Sequence, residues 1–429
     1  MRVLVLGAYG LIGLPVVRAL LAGGHAVTGV GRSVKSVQIS YPEAKWLQAD
    51  IATLTRPSDW IELLTDIDAV VNCSGALQDG ARDKLRALQS HAMIALFEAC
   101  ERSGVKRLVQ VSAAGVSEES RTLFLKTKAV ADAALQLTSL DWIILRPGLV
   151  IAPTAYGGTS LIRALAAFPF VTPVIDLASR IQTVDVDDVA QAVVRVIAGT
   201  VAGRQSYDIL ERERHSLEDV IVSFRRWMGL PAQPVIRIPA VFTRPFLWIG
   251  DSLGHVGWRP PIRTTAFVQL GESIQGSPDA WVHAAGPEPS PLAVTLACYP
   301  SSVQEKWFAR LWLLKPLIIT TLTLFWLASG VVGLVSLDHA AALLPVGDET
   351  LRNTAVLAGS LLDILLGIAL LIHSTHKQAA LGMLIATAAY LVGGTILTPG
   401  LWLDPLGPLV KTVPCAVLAL VALATAEER

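Results

Sequence analysis

The sequence predicts an α/β protein: a doubly wound parallel sheet with a small second lobe, followed by a C-terminal bundle of four transmembrane helices. Three observations predict it. Short apolar runs alternate with helix-period segments over residues 1–200, a glycine-rich turn links the first run to the first helix, and uninterrupted apolar stretches gather after residue 310.

The strand candidates are residues 2–6, 26–30, 69–72, 107–111 and 142–145, each bounded by Gly, Asp or Ser. Amphipathic segments at 14–21, 87–103 and 127–136 lie between them. Continuous apolar strands separated by helices point to a parallel sheet covered on both faces, and right-handed crossovers wind it doubly. The run 3–6 after Met1-Arg2 is too short for a secretory signal and reads as the first strand.

Residues 206–305 change character. Ser216-Leu217-Glu218-Asp219 has a capping-box pattern for a helix reaching Met228, and Gly229-Leu230-Pro231 stops it. A Pro-rich stretch with Trp248, Trp258, Trp281 and an Arg259-Pro260-Pro261 break follows, as expected of a small, partly helical lobe on the substrate side.

Segments 311–335, 355–372, 379–397 and 406–426 are each near the ~20 residues that span ~30 Å of hydrocarbon. Soluble helices would need polar outer faces, which these lack. Trp312, Trp402 and Tyr390 suit interfaces, and Tyr390 equally suits packing between helices. Lys306, Arg310 and Lys315 precede the first span, and Lys377 sits in the second loop. The first loop carries Asp338, Asp348 and Glu349 with only Arg352, and the third carries Asp404. Positive charge on the N-terminal side predicts a multi-pass integral membrane protein with the N-terminal domain and both chain ends cytoplasmic.

Composition agrees. The 429 residues are 52% hydrophobic and 16% charged, with a mean hydropathy of +0.53, too apolar for a wholly soluble chain of this length. Lys plus Arg equal Asp plus Glu at 35 each, without a basic run, so nothing suggests electrostatic capture of nucleic acid and no such partner is expected. Cys73, Cys100, Cys298 and Cys415 form neither a CxxC pair nor a Cys/His cluster, so neither a metal site nor a disulfide framework is expected.

The chemistry begins at Gly7-Ala8-Tyr9-Gly10-Leu11-Ile12-Gly13, directly after the first strand and opening a helix. The glycines allow a tight turn, close approach to a pyrophosphate and close helix–sheet packing, and the helix N-terminus meets the negative charge. The second strand ends in Gly31-Arg32-Ser33, without the acid that would bond the ribose hydroxyls of NAD. Arg32, Ser33 and nearby Lys35 suit a 2′-phosphate, so NADP(H) is expected over NAD(H). Asp50-Ile51 has the position of an adenine contact. Ser74-Gly75-Ala76, after Asn72-Cys73, has that of the nicotinamide-side ribose.

In order along the chain these motifs resemble the short-chain dehydrogenase/reductase superfamily in its extended and atypical branches. The glycine loop, Asp50-Ile51, the 72–76 turn, 109–116 (VQVSAAGV), Leu145-Arg146-Pro147-Gly148 and 184–190 (VDVDDVA) carry the resemblance over about residues 1–230. It implies a Rossmann domain with Ser112 as the catalytic serine and Lys128 as the lysine of a Tyr-x-x-x-Lys motif. Phe124 holds the tyrosine position. A phenyl ring exchanges no proton with a substrate oxygen, so ordinary alcohol dehydrogenase chemistry is in doubt. Lys128 retains the donors to hold ribose hydroxyls, and Ser112 those to bond a carbonyl. The departure moves the resemblance toward members similar to the nucleotide-binding accessory subunit of respiratory complex I, whose cofactor looks structural. Tyr156 reads as a substrate-loop aromatic or, less readily, a substitute acid.

Residues 307–316, 325–330 and 404–411 resemble the DoxX-like membrane family, which implies a four-helix module. Asp363 stands mid-span and, with Lys411, forms the candidate polar site of the membrane. An acid there costs about 2.5–3.5 kcal/mol to insert, so it should face the bundle interior, be protonated, or pair with Lys411 or Lys315. A proton or quinone site and an interhelical hydrogen bond or salt bridge both fit.

The expected organisation is thus residues 1–205 as the NAD(P)-binding domain, 206–305 as substrate-side lobe and linker, and 306–429 as the DoxX-like domain. The expected function is a membrane-anchored NADP(H)-binding protein with weak or no ordinary dehydrogenase turnover. The alternative is an NADPH-dependent oxidoreductase acting on a quinone or another lipophilic substrate.

Overall fold

The computed structural model describes residues 1–80, 84–258, 263–345 and 347–426; the Arg259-Pro260-Pro261 break lies outside them. The chain divides into two compact units, one of Met1–Ser252 with Pro260–Ala309, the other of Leu253–Arg259 with Arg310–Arg429.

The first unit contains strands β1 Arg2–Leu6, β2 Ala26–Gly31, β3 Lys45–Gln48, β4 Ala69–Asn72, β5 Arg107–Val111, β6 Asp141–Pro147, β7 Leu149–Ile151, β8 Thr172–Asp176, β9 Thr183–Asp185, β10 Gln205–Ile209 and β11 Val235–Pro239. Seven form a parallel sheet in the order β10-β6-β5-β4-β1-β2-β3. This is the doubly wound arrangement, and its order reverses between β1 and β4, where such sheets bind nucleotides. The strands are nearly continuous apolar runs because both faces are covered. Val3, Val5, Val71, Val109 and Ile143 pack on one side, and Leu4, Leu6, Val70, Leu108 and Ile144 on the other.

Helix starts follow their caps. Thr122 caps the Leu123–Gln136 helix, and Asp185 caps Val186–Ile197. The Ser216 hydroxyl accepts from the Asp219 N–H at 3.1 Å, while the Asp219 carboxylate accepts from the Ser216 N–H at 2.8 Å, so the capping box of the sequence closes as expected. Beside the large sheet stand two parallel pairs, β8 with β11 and β7 with β9, so β8 shares a small sheet with the segment after residue 206. Arg163, only 2% exposed, braces this region. Its guanidinium pairs with Glu305, donates to the Ala152 carbonyl at 2.8 Å, and lies 5.0 Å from the Trp227 ring centre.

The long apolar helices are Val303–Val335, whose first residues belong to the first unit, and Glu349–Leu371, His376–Leu397 and Pro408–Ala424 of the second. The first three are long and apolar enough to cross a membrane. The fourth has 17 residues, about 25 Å at 1.5 Å per residue, short of a full span. Four apolar helices are therefore present as the sequence predicts, three of them of spanning length. Asp363 does not pair with Lys411 or Lys315. Its carboxylate accepts from the Ser329 hydroxyl at 2.7 Å and the Tyr390 hydroxyl at 2.8 Å. Two neutral hydroxyls satisfy both oxygens without a second charge in the bundle, which is the cheaper way to keep an acid in hydrocarbon. Tyr390, stacked near Trp326 at 6.5 Å, takes the helix-packing role.

Candidate nucleotide site

The crevice at the sheet's switch point is built from two turns. Gly7 ends β1 with φ +65°, a left-handed conformation that strains any residue with a Cβ. A Cβ there would stand 2.9 Å from the Cys73 carbonyl oxygen and the Ser74 Cα, so the turns after β1 and β4 touch backbone to backbone. A Cβ on Gly13, the first residue of the Gly13–Ala22 helix, would stand 2.2 Å from the Gly7 oxygen. Gly10 closes the turn by donating to the Gly7 oxygen at 2.9 Å. Leu11 and Ile12 therefore enter the helix at its N-terminus, where N–H groups lack intrahelical acceptors. A cradle that side chains would fill, beside such donors, fits a dinucleotide pyrophosphate.

At the end of β2 the Tyr9 ring rests on Gly31, whose Cβ would lie 2.2 Å from a ring carbon. Arg32, Ser33 and Lys35 follow with exposed side chains. Asp50 caps the turn after β3, accepting from the Ala52 N–H at 3.1 Å, and Ile51 is buried beneath it. The Asp50 carboxylate is thus partly committed to its own turn.

Beyond β4, the buried Asn72 amide holds the turn. It donates to the Gln110 side-chain oxygen at 2.8 Å and accepts from the Ser74 N–H at 2.9 Å and the Ser74 hydroxyl at 2.5 Å. Gln89 donates to the Ala76 carbonyl at 2.8 Å and accepts from the Thr127 hydroxyl at 2.7 Å. Gln110, Gln89 and Thr127 were not read from the sequence, since an isolated polar residue in a strand or helix carries no signal of burial.

The Leu123–Gln136 helix brings Lys128 to this turn. Its ammonium donates to the Val111 carbonyl at 2.9 Å and lies 3.8 Å from the Cβ position of Gly75. Phe124, one turn earlier, puts its ring centre 5.7 Å from the same nitrogen. Ser112, just beyond β5, donates its hydroxyl to Asp132 at 2.7 Å, and Arg146 approaches the same carboxylate at 3.6 Å. Burial lowers the Lys128 pKa and raises that of Asp132, the environment penalising each charge. Burial also pushes the Cys73 thiol up to about 12, which makes it a poor nucleophile. Tyr156 sits half-exposed after β7, and among the described residues its hydroxyl has no hydrogen-bond partner.

Glu211, Glu213 and His215 offer three ligand atoms within 4.8 Å of one another. The Glu211 carboxylate is occupied, however. It accepts from the Thr183 hydroxyl, the Thr183 N–H at 3.0 Å and the Leu292 N–H at 2.9 Å, which makes it a structural clasp.

Residues 7–199 match the NAD(P)H-binding family, and residues 323–420 match the DoxX-like family. The chain joins an NAD(P)H-binding domain to a DoxX-like domain. Among relatives of this two-domain protein, photosystem II assembly factor Ycf39 of Synechocystis is 26% identical over 275 residues, covering 58% of this chain and 76% of the relative. The Bordetella bronchiseptica enzyme WbmH, solved with NAD+, is 19% identical, covers 70% of this chain and 96% of its own, and superposes with a TM-score of 0.53. The UDP-glucuronic acid 4-epimerase of Bacillus cereus, solved with UDP-glucuronic acid and NAD, gives 16%, 72%, 99% and 0.53 for the same measures. The likeness to these structures is one of fold.

Proposed function

We propose that this protein is a membrane-anchored, NADP(H)-binding atypical member of the short-chain dehydrogenase type, with weak or no ordinary dehydrogenase turnover. The observation that carries the reading is Phe124 one helical turn before Lys128, with its ring 5.7 Å from the ammonium. A bound nicotinamide supplies hydride chemistry. The residues around it here hold and orient: the glycine cradle takes the pyrophosphate, Lys128 offers its remaining donors to ribose hydroxyls, and Arg32 with Ser33 favours a 2′-phosphate. Phe124, at the position of the general acid, carries no proton to exchange. Ser112, the other candidate, donates its hydroxyl hydrogen bond to Asp132.

A binding role fits this chemistry better than a turnover role, and the name of the Synechocystis relative, an assembly factor, supports a cofactor-stabilised assembly partner or scaffold. The cytoplasmic placement of the NAD(P)H-binding domain belongs to the same proposal and rests on Lys306, Arg310, Lys315 and Lys377.

A second reading, an NADPH-dependent oxidoreductase acting on a quinone or lipophilic acceptor, is favoured by the attached DoxX-like domain. Such an acceptor takes hydride without a tyrosine proton. Full-length protein in detergent, supplied with NADPH and either small carbonyl compounds or a soluble quinone, separates the two. The first reading expects negligible NADPH oxidation with every acceptor. Sustained oxidation with quinone that is lost in Gly10→Asp would establish the second.

A further inference from the structure

We propose that the Arg244–His255 helix lies in the lipid headgroup zone as an interfacial anchor, its outward face immersed in the bilayer surface. The helix is inverted relative to an ordinary surface helix. It turns Leu247, Gly250 and Gly254 inward, while Phe246, Trp248 and Ile249 stand 64%, 73% and 50% exposed. The preceding Ala240–Thr243 turn adds Val241 and Phe242 at 55% and 65%. Five large apolar side chains within residues 241–249 thus face outward, beside an exposed Arg244. Large apolar face, aromatic content and a flanking cation are the features of helices that lie in a bilayer interface.

The chain itself names the occupant. It passes from Ser252 directly into Leu253–Arg259, a segment that belongs to the compact unit of the apolar helices. Trp258 is held there: its indole N–H donates at 2.6 Å to the carbonyl of Leu371, the last residue of a helix of spanning length. The His373 and His376 rings meet the Trp258 ring edge-on at 5.1 and 5.0 Å, and the His373 N–H donates to the Val256 carbonyl at 3.2 Å. The segment therefore joins the membrane unit at the turn between two spans, the level at which hydrocarbon gives way to headgroups. From Ile249 to Val256 the chain covers about 10 Å at helical rise. That tether limits how far the aromatic face can stand from the same boundary, where Trp is enriched. The inference rests on the DoxX-like domain being embedded in lipid.

Spin labelling of the full chain in lipid nanodiscs, one copy per disc, tests it. Labels are placed at Phe246→Cys and Ile249→Cys in a background without the four native cysteines. Ile385→Cys, on a span, serves as lipid reference and Glu98→Cys as aqueous reference. The expected result is that labels at 246 and 249 collide with oxygen and are shielded from a water-soluble nickel chelate, as at 385. Nickel access equal to that at 98 would overturn the proposal, and so would shielding from both agents, which would mean that protein covers the face. An aqueous signal at 385 would instead remove the membrane premise.

A second measurement needs no cysteine. In vesicles of dibrominated phosphatidylcholine, native protein should lose more tryptophan emission than Trp248→Phe does. Equal quenching in the two proteins would contradict the proposal.

Discussion

The Ser112 hydroxyl donates to the Asp132 carboxylate at 2.7 Å, and Asp132 lies one turn beyond Lys128 on the same helix. The Ser112 hydroxyl is thereby tied inward, and Phe124 on the preceding turn presents a hydrocarbon ring. On the proposed reading, both features act on proton transfer and leave the nucleotide cradle intact, which separates holding a cofactor from using it.

Restoring the phenol is the direct chemical test. Phe124→Tyr puts a titratable hydroxyl one turn from the Lys128 ammonium. A positioned acid–base group is worth about 10²–10⁴-fold. We expect NADPH-dependent reduction of small carbonyl compounds to rise by about that factor in steady-state assays, with nucleotide affinity unchanged. No gain would mean that the block lies elsewhere, with Ser112 the first suspect.

The buried carboxyl predicts a pH dependence. Burial raises the Asp132 pKa, so the folded domain binds this proton more tightly than the unfolded chain does. Its contribution to stability is fully present below the unfolded value, about 4, and declines as pH rises through the native pKa. Each pH unit between the two values costs about 1.4 kcal/mol. Lys128, with its pKa lowered by burial, acts with the opposite sign in the alkaline range below its unfolded value. Hydrogen-exchange protection factors over Arg107–Val111 and Leu123–Gln136 should fall across the Asp132 window and flatten in Asp132→Asn. Unchanged slopes in the variant would remove Asp132 as their source.

Cofactor preference should reside at Arg32. Losing a charge-assisted hydrogen bond costs about 1.5–3 kcal/mol, or about 10- to 150-fold in affinity. Arg32→Glu should weaken NADPH by that amount and leave NADH equal or tighter, as read by calorimetric titration. Equal losses for both nucleotides would assign Arg32 a structural role instead.

The Arg163–Glu305 pair predicts a stability effect away from the nucleotide. Arg163 is 2% exposed, so neutralising its partner leaves a buried guanidinium uncompensated, at a cost of about 3–5 kcal/mol. Glu305→Gln should lower the melting temperature of the NAD(P)H-binding domain, while replacing both residues by apolar ones of similar volume should recover much of the loss.

The parts of this architecture that could be read in sequence are those with a short-range signal. Residues such as Val3, Val5, Leu4 and Leu6 form an unbroken apolar run because both sheet faces are covered, and a Gly7-to-Gly13 turn beside such a run has few meanings. Strand β3 left no comparable run, since only Trp46 within it is buried. The β8–β11 pair joins residues about 60 positions apart across a Pro-rich stretch, a pairing that periodicity does not carry. At the site, Ser112 and Lys128 stood out through the family resemblance. Their partners did not: Asp132 reaches Ser112 over 20 residues and Asn72 reaches Gln110 over 38, and only the folded chain sets such registers. The apolar spans were visible by length, whereas the Ser329 and Tyr390 hydroxyls on Asp363 come from two neighbouring helices.

We propose that this protein holds NADP(H) without turning it over by the ordinary route. The most direct test is to purify the full-length chain gently in detergent, denature it, and identify the released nucleotide by mass. We expect about one NADP(H) per chain, retained through purification and absent from Gly13→Ala, whose Cβ would stand 2.2 Å from the Gly7 oxygen. A chain that releases no nucleotide and binds none in titration would contradict it.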